Sequence, residues 1–177
     1  MKLFIAGARA ITQFDDNVKN KLLSICEKDY DVLIGDCSGV DSSVQKFFTD
    51  LGYNKITIFA SNGKARNNIG NWQVENIPAT GGGFEFYAQK DLAMANSADY
   101  GFMIWNGKSK GTLNNIINLL EQEKTCLVYL ATNKQFFTID TAEKLLQLLA
   151  LCPESTTDIY RRLSKTKTPQ LSQITMF

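Results

Sequence analysis

An α/β fold, doubly wound around a mainly parallel five-stranded sheet with flanking helices, is predicted for this chain by three observations. Short apolar runs alternate with longer stretches of helical period along residues 2–150, the pattern of parallel strands joined by helical crossovers. Residues 89–112, QKDLAMANSADYGFMIWNGKSKGT, hold one complete unit: a helical pattern through Leu92, Met94, Ala95 and Ala98, the apolar run 101–105, a small-residue loop, and a second helical pattern from Thr112. Gly-bearing loops follow the first, second and fourth apolar runs. In a sheet of this class they gather along the edge where ligands bind.

The elements follow in order. Residues 2–6 (KLFIA) read as a strand ended by Gly7, and 17–27 as a helix with Val18, Leu22, Leu23 and Cys26 on one face. Residues 31–34 are a second strand, stopped at Gly35. Residues 41–51 are a helix for which Gly52 fits the C-terminal cap. Residues 55–59 are a third strand. Residues 60–83 are polar and aperiodic, with three consecutive glycines, and are expected to form a mobile lid or partner surface. A helix over 84–97, a strand over 99–105, a helix over 112–122 and a strand over 125–130 complete the sheet. Asp140 is placed to cap a helix running to Ala150, which Pro153 ends. A short helix over 154–164 and a tail follow. Residues 1–152 are thus expected to form the sheet domain, and 153–177 a C-terminal helix and tail.

Composition narrows the chemistry. A net charge of +1 supplies no global field toward nucleic acid, which is therefore expected to be an unlikely partner. The apolar start breaks at Gly7 and Arg9, too early for a signal peptide, and no apolar run approaches membrane-spanning length. Cys26, Cys37, Cys126 and Cys152 form no CxxC pair, so a cytoplasmic location with reduced thiols is expected. Histidine is absent, which removes Ser-His-Asp and Cys-His catalysis and the usual zinc sites. No metal and no cofactor are expected.

The loop after the fourth run places Ser109, Gly111 and Thr112 at the start of a helix, where free N–H groups and the dipole favour an anion such as phosphate. The stretch GFMIWNGKS is not a P-loop: five residues separate its glycines, and the first glycine begins the strand. Lys108 and Lys110 are solvated charges or phosphate-rim groups. Trp105, at the strand end, either stacks on a base or packs as core.

Three loops together carry a resemblance: IAGARAI at 5–11, GDCSGVD at 35–41 and KDLAMANSADYGFMIWNGKSKGT at 90–112. They resemble the SLOG superfamily, the Rossmann-like group that includes DNA-processing protein DprA and the LOG cytokinin-activating enzymes, and most of all its YspA/YpsA-related branch. The resemblance spans roughly residues 3–130. It implies a nucleotide or ADP-ribose-like ligand at the strand ends, lined by Gly7, Arg9, Gly35, Gly39, Asp41, Lys90, Asp91, Ser109, Gly111 and Thr112. Arg9 and Lys90 would offset phosphate charge. Asp41 would accept a ribose hydroxyl or cap its own helix. LOG-type hydrolases carry a catalytic Glu three residues after the Thr of their Gly-Thr pair, and here Asn115 stands at that position. An amide cannot act as base or carboxylate nucleophile, so binding is expected ahead of hydrolysis. Should the protein be an N-glycoside hydrolase, Glu85, Asp91 and Asp41 are the carboxylates on offer. DprA-like nucleic-acid handling ranks third.

The apolar 140–151 helix and the tail, QLSQITMF, exceed what one small sheet needs. A homo-oligomer, most simply a two-fold dimer, is therefore expected, with the tail anchored on the body or a second protomer. The tail also bears a vague likeness to short glutamine-led motifs that dock into sliding clamps.

Overall fold

Seven strands form the sheet, two more than the apolar runs predict. The computed structural model describes residues 1–167, so the predicted anchoring of the tail lies outside the described residues. The strands are β1 (Lys2–Gly7), β2 (Asp31–Gly35), β3 (Ile56–Ser61), β4 (Gln73–Ile77), β5 (Tyr100–Trp105), β6 (Cys126–Leu130) and β7 (Gln135–Ile139). Their order is β4-β3-β2-β1-β5-β6-β7, parallel throughout except for the antiparallel pair β6 and β7. The two unpredicted strands are the two edges. An edge strand need bury little, and β4 (QVENI) has no fully buried residue, so no apolar run marks it. In β7 (QFFTI) only Ile139 is buried.

Among the described residues, six helices cover both faces: α1 (Asp16–Glu27), α2 (Val40–Leu51), α3 (Gly83–Ser97), α4 (Lys110–Glu121), α5 (Ala142–Leu149) and α6 (Glu154–Lys167). Successive strand residues point to opposite faces. Leu3, Ile5, Val32, Ile34, Ile58 and Ile104 pack with Val18, Leu22, Val44 and Phe48 of α1 and α2. Phe4, Ala6, Leu33, Phe59, Met103 and Trp105 pack with residues of α3, α4, α5 and α6, including Met94, Leu113, Leu145 and Leu163. Central strands buried on both faces read as unbroken apolar runs, which is why β1, β2, β3, β5 and β6 were legible.

Gly52 takes the left-handed cap of α2 that its position predicts (φ 68°). Thr141, not Asp140, caps α5. Its hydroxyl accepts from Lys144 N, while Asp140 pairs with the Lys144 ammonium at 2.7 Å. Helix α5 buries Leu145, Leu148 and Leu149 in its own core, leaving Leu146 and Leu151 exposed.

The 60–83 segment, expected to form a mobile lid or partner surface, is tied to the body of the fold by side-chain hydrogen bonds. Asp36, at the end of β2, accepts from the backbone N, Nε and Nη2 of Arg66 at 2.9, 3.2 and 2.7 Å. Burial alone would raise the Asp36 carboxyl; the Arg66 hydrogen bonds outweigh it and hold the carboxyl below its ordinary value. Gln45 of α2 donates to Asn67 O and accepts from Ile69 N, and the Asn62 amide clasps both backbone groups of Ala79. These polar residues spell a loop in sequence, but their side chains are spent on backbone groups that a loop leaves unpaired.

Candidate functional site

Strand order reverses direction at β1: β2, β3 and β4 continue to one side, and β5 lies on the other. Doubly wound sheets open their ligand crevice at such a point. A cleft of about 610 Å³ lies there. It is lined by Gly7 and Arg9 of the β1 loop, by Cys37 and Asp41, by Phe84, Tyr87 and Asp91 along one face of α3, and by Lys108, Ser109, Gly111, Thr112 and Asn115.

The β5–α4 turn is built by its own side chains. The Asn106 carboxamide oxygen accepts from the N–H groups of Lys108 and Ser109, both at 3.0 Å. Ser109 caps α4, its hydroxyl accepting from Thr112 N at 3.4 Å, and its carbonyl accepts from Leu113 N. The N–H groups of Lys110 and Gly111 are left without an acceptor among the described residues. A Cβ at Gly111 would meet nothing within 4 Å, so the space before the helix start is open. Unpaired N–H groups at the positive end of a helix dipole, facing open space, suit an anion.

Two of the predicted glycines serve contact between chain segments where close approach of a ligand was expected. A Cβ on Gly7 would sit 2.2 Å from the Ile104 carbonyl, and one on Gly39 (φ 80°) 2.3 Å from the Arg9 carbonyl. Both hold the β1 loop against β5 and α2, and Ala8 completes the junction by donating to Ile104 O and accepting from Val40 N. Gly39 does not line the cleft; Gly7 does.

The floor is a buried ionic group. The Lys90 ammonium, 1% exposed, pairs with Asp91 at 2.8 Å. A Cβ on Gly35 would lie 2.5 Å from Asp41 Oδ2 and 2.8 Å from Lys90 Nζ, so Gly35 makes room for the cluster. Asp41 does not cap α2; its Oδ2 accepts from Cys37 N at 3.2 Å. Burial alone would lower the Lys90 ammonium; Asp91 and Asp41 outweigh it and raise it, so it stays charged. The Asp41 carboxyl is pushed up to about 6, first by burial and then by the Asp91 and Asp36 charges, with Lys90 and the Cys37 N–H pulling the other way. Because this folded value lies above the ordinary 3.8, the stability contributed by neutral Asp41 is complete below that pH and is lost as pH rises through about 6. The loss is roughly 3 kcal/mol. Asp41→Asn is expected to remove this fall from a denaturation profile taken between pH 4 and 7. Parallel profiles of the variant and the parent protein would refute the assignment.

Three sequence expectations need correction. Lys90 lies beneath the cleft and neutralises carboxylates, so its ammonium is not available to a phosphate. Trp105 is fully buried, its indole N–H donating to Ser109 O at 3.1 Å; it packs as core, braces the turn and offers no face to a base. Glu85 lines a neighbouring groove of about 360 Å³ with Arg162 and Lys167, not the cleft lined by Asp41 and Asp91.

Two features escaped sequence reasoning. Two guanidinium groups lie over the Tyr87 ring, Arg66 at 4.5 Å and Arg9 at 5.5 Å from its centroid. Only the i, i+3, i+7 spacing of Phe84, Tyr87 and Asp91 hinted that they share a face. Thr156 of α6 donates to Gly107 O at 2.6 Å in a buried contact across 49 residues, bracing the β5–α4 turn from outside the family resemblance. No local signal marks it. Thr156→Val keeps the shape but orphans that carbonyl, so a stability loss of about 1–3 kcal/mol is expected. Faster amide exchange at 106–109 should accompany it, and unchanged exchange there would show that the brace is dispensable.

Among the described residues, no helix is long and apolar enough to cross a membrane. No protein-family model and no curated protein matches the chain. Its fold is similar to a solved structure of DNA processing protein A from Helicobacter pylori, with a TM-score of 0.53 and 13% sequence identity over 94% of this chain and 81% of the other. That structure was reported for its single-stranded DNA binding mode, which overturns the expectation that nucleic acid is an unlikely partner. Net charge averages over the whole surface, whereas Arg9 and Lys108 both line the cleft.

Proposed function

We propose that the cleft binds a nucleotide or nucleotide-derived ligand, such as an ADP-ribose-like molecule, as a sensor, carrier or sponge. The observation that carries this reading is the open start of α4, with its unpaired N–H groups, facing a cleft that also presents Arg9, Lys108 and the ring of Tyr87. The cleft's volume of about 610 Å³ lies within the range of small-molecule sites, on the order of 300–1,000 Å³. The resemblance to SLOG proteins supports the same ligand class. The likeness to a single-strand-binding protein adds a second source of the same chemistry, the nucleotide units of a single strand.

Titration calorimetry of the full chain with AMP, ADP-ribose and a short single-stranded oligonucleotide tests the proposal. Micromolar binding of AMP or ADP-ribose is expected. Binding of the oligonucleotide alone, weakening steeply with salt, would assign the site to strands. No binding by any of the three would overturn the reading.

Hydrolysis is the second reading, and one observation favours it: Asp41 and Asp91 line the same cleft in different environments, one buried and raised, the other paired to Lys90. Asn115 in place of an acid weighs against it. Base release from nucleoside monophosphates is expected to be slow or absent. Robust turnover abolished by Asp91→Asn would promote the hydrolase.

A further inference from the structure

Asn115 is poorly matched to its protein surroundings. The residue is 3% exposed, and its Oδ1 is buried without a hydrogen-bond partner. Nor does its Nδ2 donate to any described residue. Yet Asn115 lines the cleft on the face of α4 that carries Gly111 and Thr112, one turn below the open helix start. A half-turn about Cβ–Cγ exchanges the amide oxygen and nitrogen, so this group can offer the cleft either a donor or an acceptor. Asp91 lines the same cleft from α3. Its Oδ1 accepts from Lys90 at 2.8 Å, and its Oδ2 has no donor among the described residues.

The two groups differ in what they admit. An ionised carboxylate only accepts, so it repels a phosphate and needs a hydroxyl or amine. An amide can accept from or donate to that same hydroxyl. A ligand with phosphate on the first turn of α4 therefore presents a donor-bearing portion to Asp91 and Asn115, and the ribose is the part next to the phosphate. We propose that these two residues read the hydroxyls of a ribose, so that the cleft takes ribonucleotides and ADP-ribosyl compounds and discriminates against deoxyribose counterparts. The inference rests on the phosphate reading above and adds the sugar. Sites that hydrogen-bond a hydroxyl reject analogues lacking it, because their polar groups are left unpaired.

Titration calorimetry with AMP, 2′-deoxy-AMP and 3′-deoxy-AMP decides it. AMP is expected to bind on the order of 10- to 100-fold tighter than at least one deoxy analogue. Asn115→Ala and Asp91→Asn should each narrow the ratio between the AMP and analogue affinities toward one. Asp91 holds Lys90, so its variant can lose stability; Asn115→Ala removes only an unpartnered amide and should melt no lower than the parent protein. Equal affinities for AMP and both deoxy analogues would overturn the sugar reading while leaving phosphate recognition intact. Absence of binding by all three would overturn both.

Discussion

Replacing Gly111 with aspartate is expected to abolish nucleotide binding without harming the fold. Gly111 is the second residue of α4, and a Cβ there meets no atom within 4 Å, so the new side chain enters open space. A carboxylate in the first turn of a helix is favourable by about 0.3–1 kcal/mol, and replacing a helical glycine adds a few tenths more. The same carboxylate occupies the position proposed for the ligand's phosphate and places a fixed negative charge there. Affinity should fall by about 100-fold or more, while the melting temperature holds or rises. Calorimetric titration and thermal denaturation on one preparation check both halves. Undiminished affinity would reduce the 106–112 turn to a structural connection.

The second large effect is at Lys90. Lys90→Met keeps most of the apolar stem and removes the charge, leaving the Asp41 and Asp91 carboxylates without their buried cation. Breaking one partner of a buried ionic group costs about 3–5 kcal/mol, because the stranded charge is not resolvated. The loss should be greatest near pH 7 and should shrink toward pH 4.5, below the value of about 6 at which the Asp41 carboxyl protonates. Chemical denaturation of both proteins at the two pH values measures it. A loss below about 1 kcal/mol at pH 7 would show that the floor does not depend on this ammonium.

Lys90 also marks the limit of what the sequence carries. A lysine opening a motif beside glycine loops reads as a phosphate ligand, because sequence records its charge and not its burial. Only the fold shows that the charge is consumed by Asp91 and Asp41 beneath the cleft. Trp105 is left open by the sequence for the same reason. Its place at a strand end was legible, but whether the ring faced the cleft or the core depended on strand phase. Elements with unbroken apolar runs or strong caps, such as β1, β5 and the Gly52 cap, were plain. The edge strands β4 and β7 were not, since one-sided burial leaves little periodicity in five residues. The helix start at Ser109–Gly111–Thr112 was readable because a cap is a local feature. Its Thr156 brace was invisible because it is a contact across 49 residues.

The central claim, that the first turn of α4 receives the ligand's phosphate, is tested most directly by amide chemical-shift mapping of the full chain. Inorganic phosphate and then AMP would be titrated while the N–H signals are followed. The largest shifts for both are expected on Lys110, Gly111 and Thr112, with AMP extending them to Tyr87, Asp91 and Asn115. Saturable shifts centred elsewhere, or none at millimolar AMP, would contradict the claim.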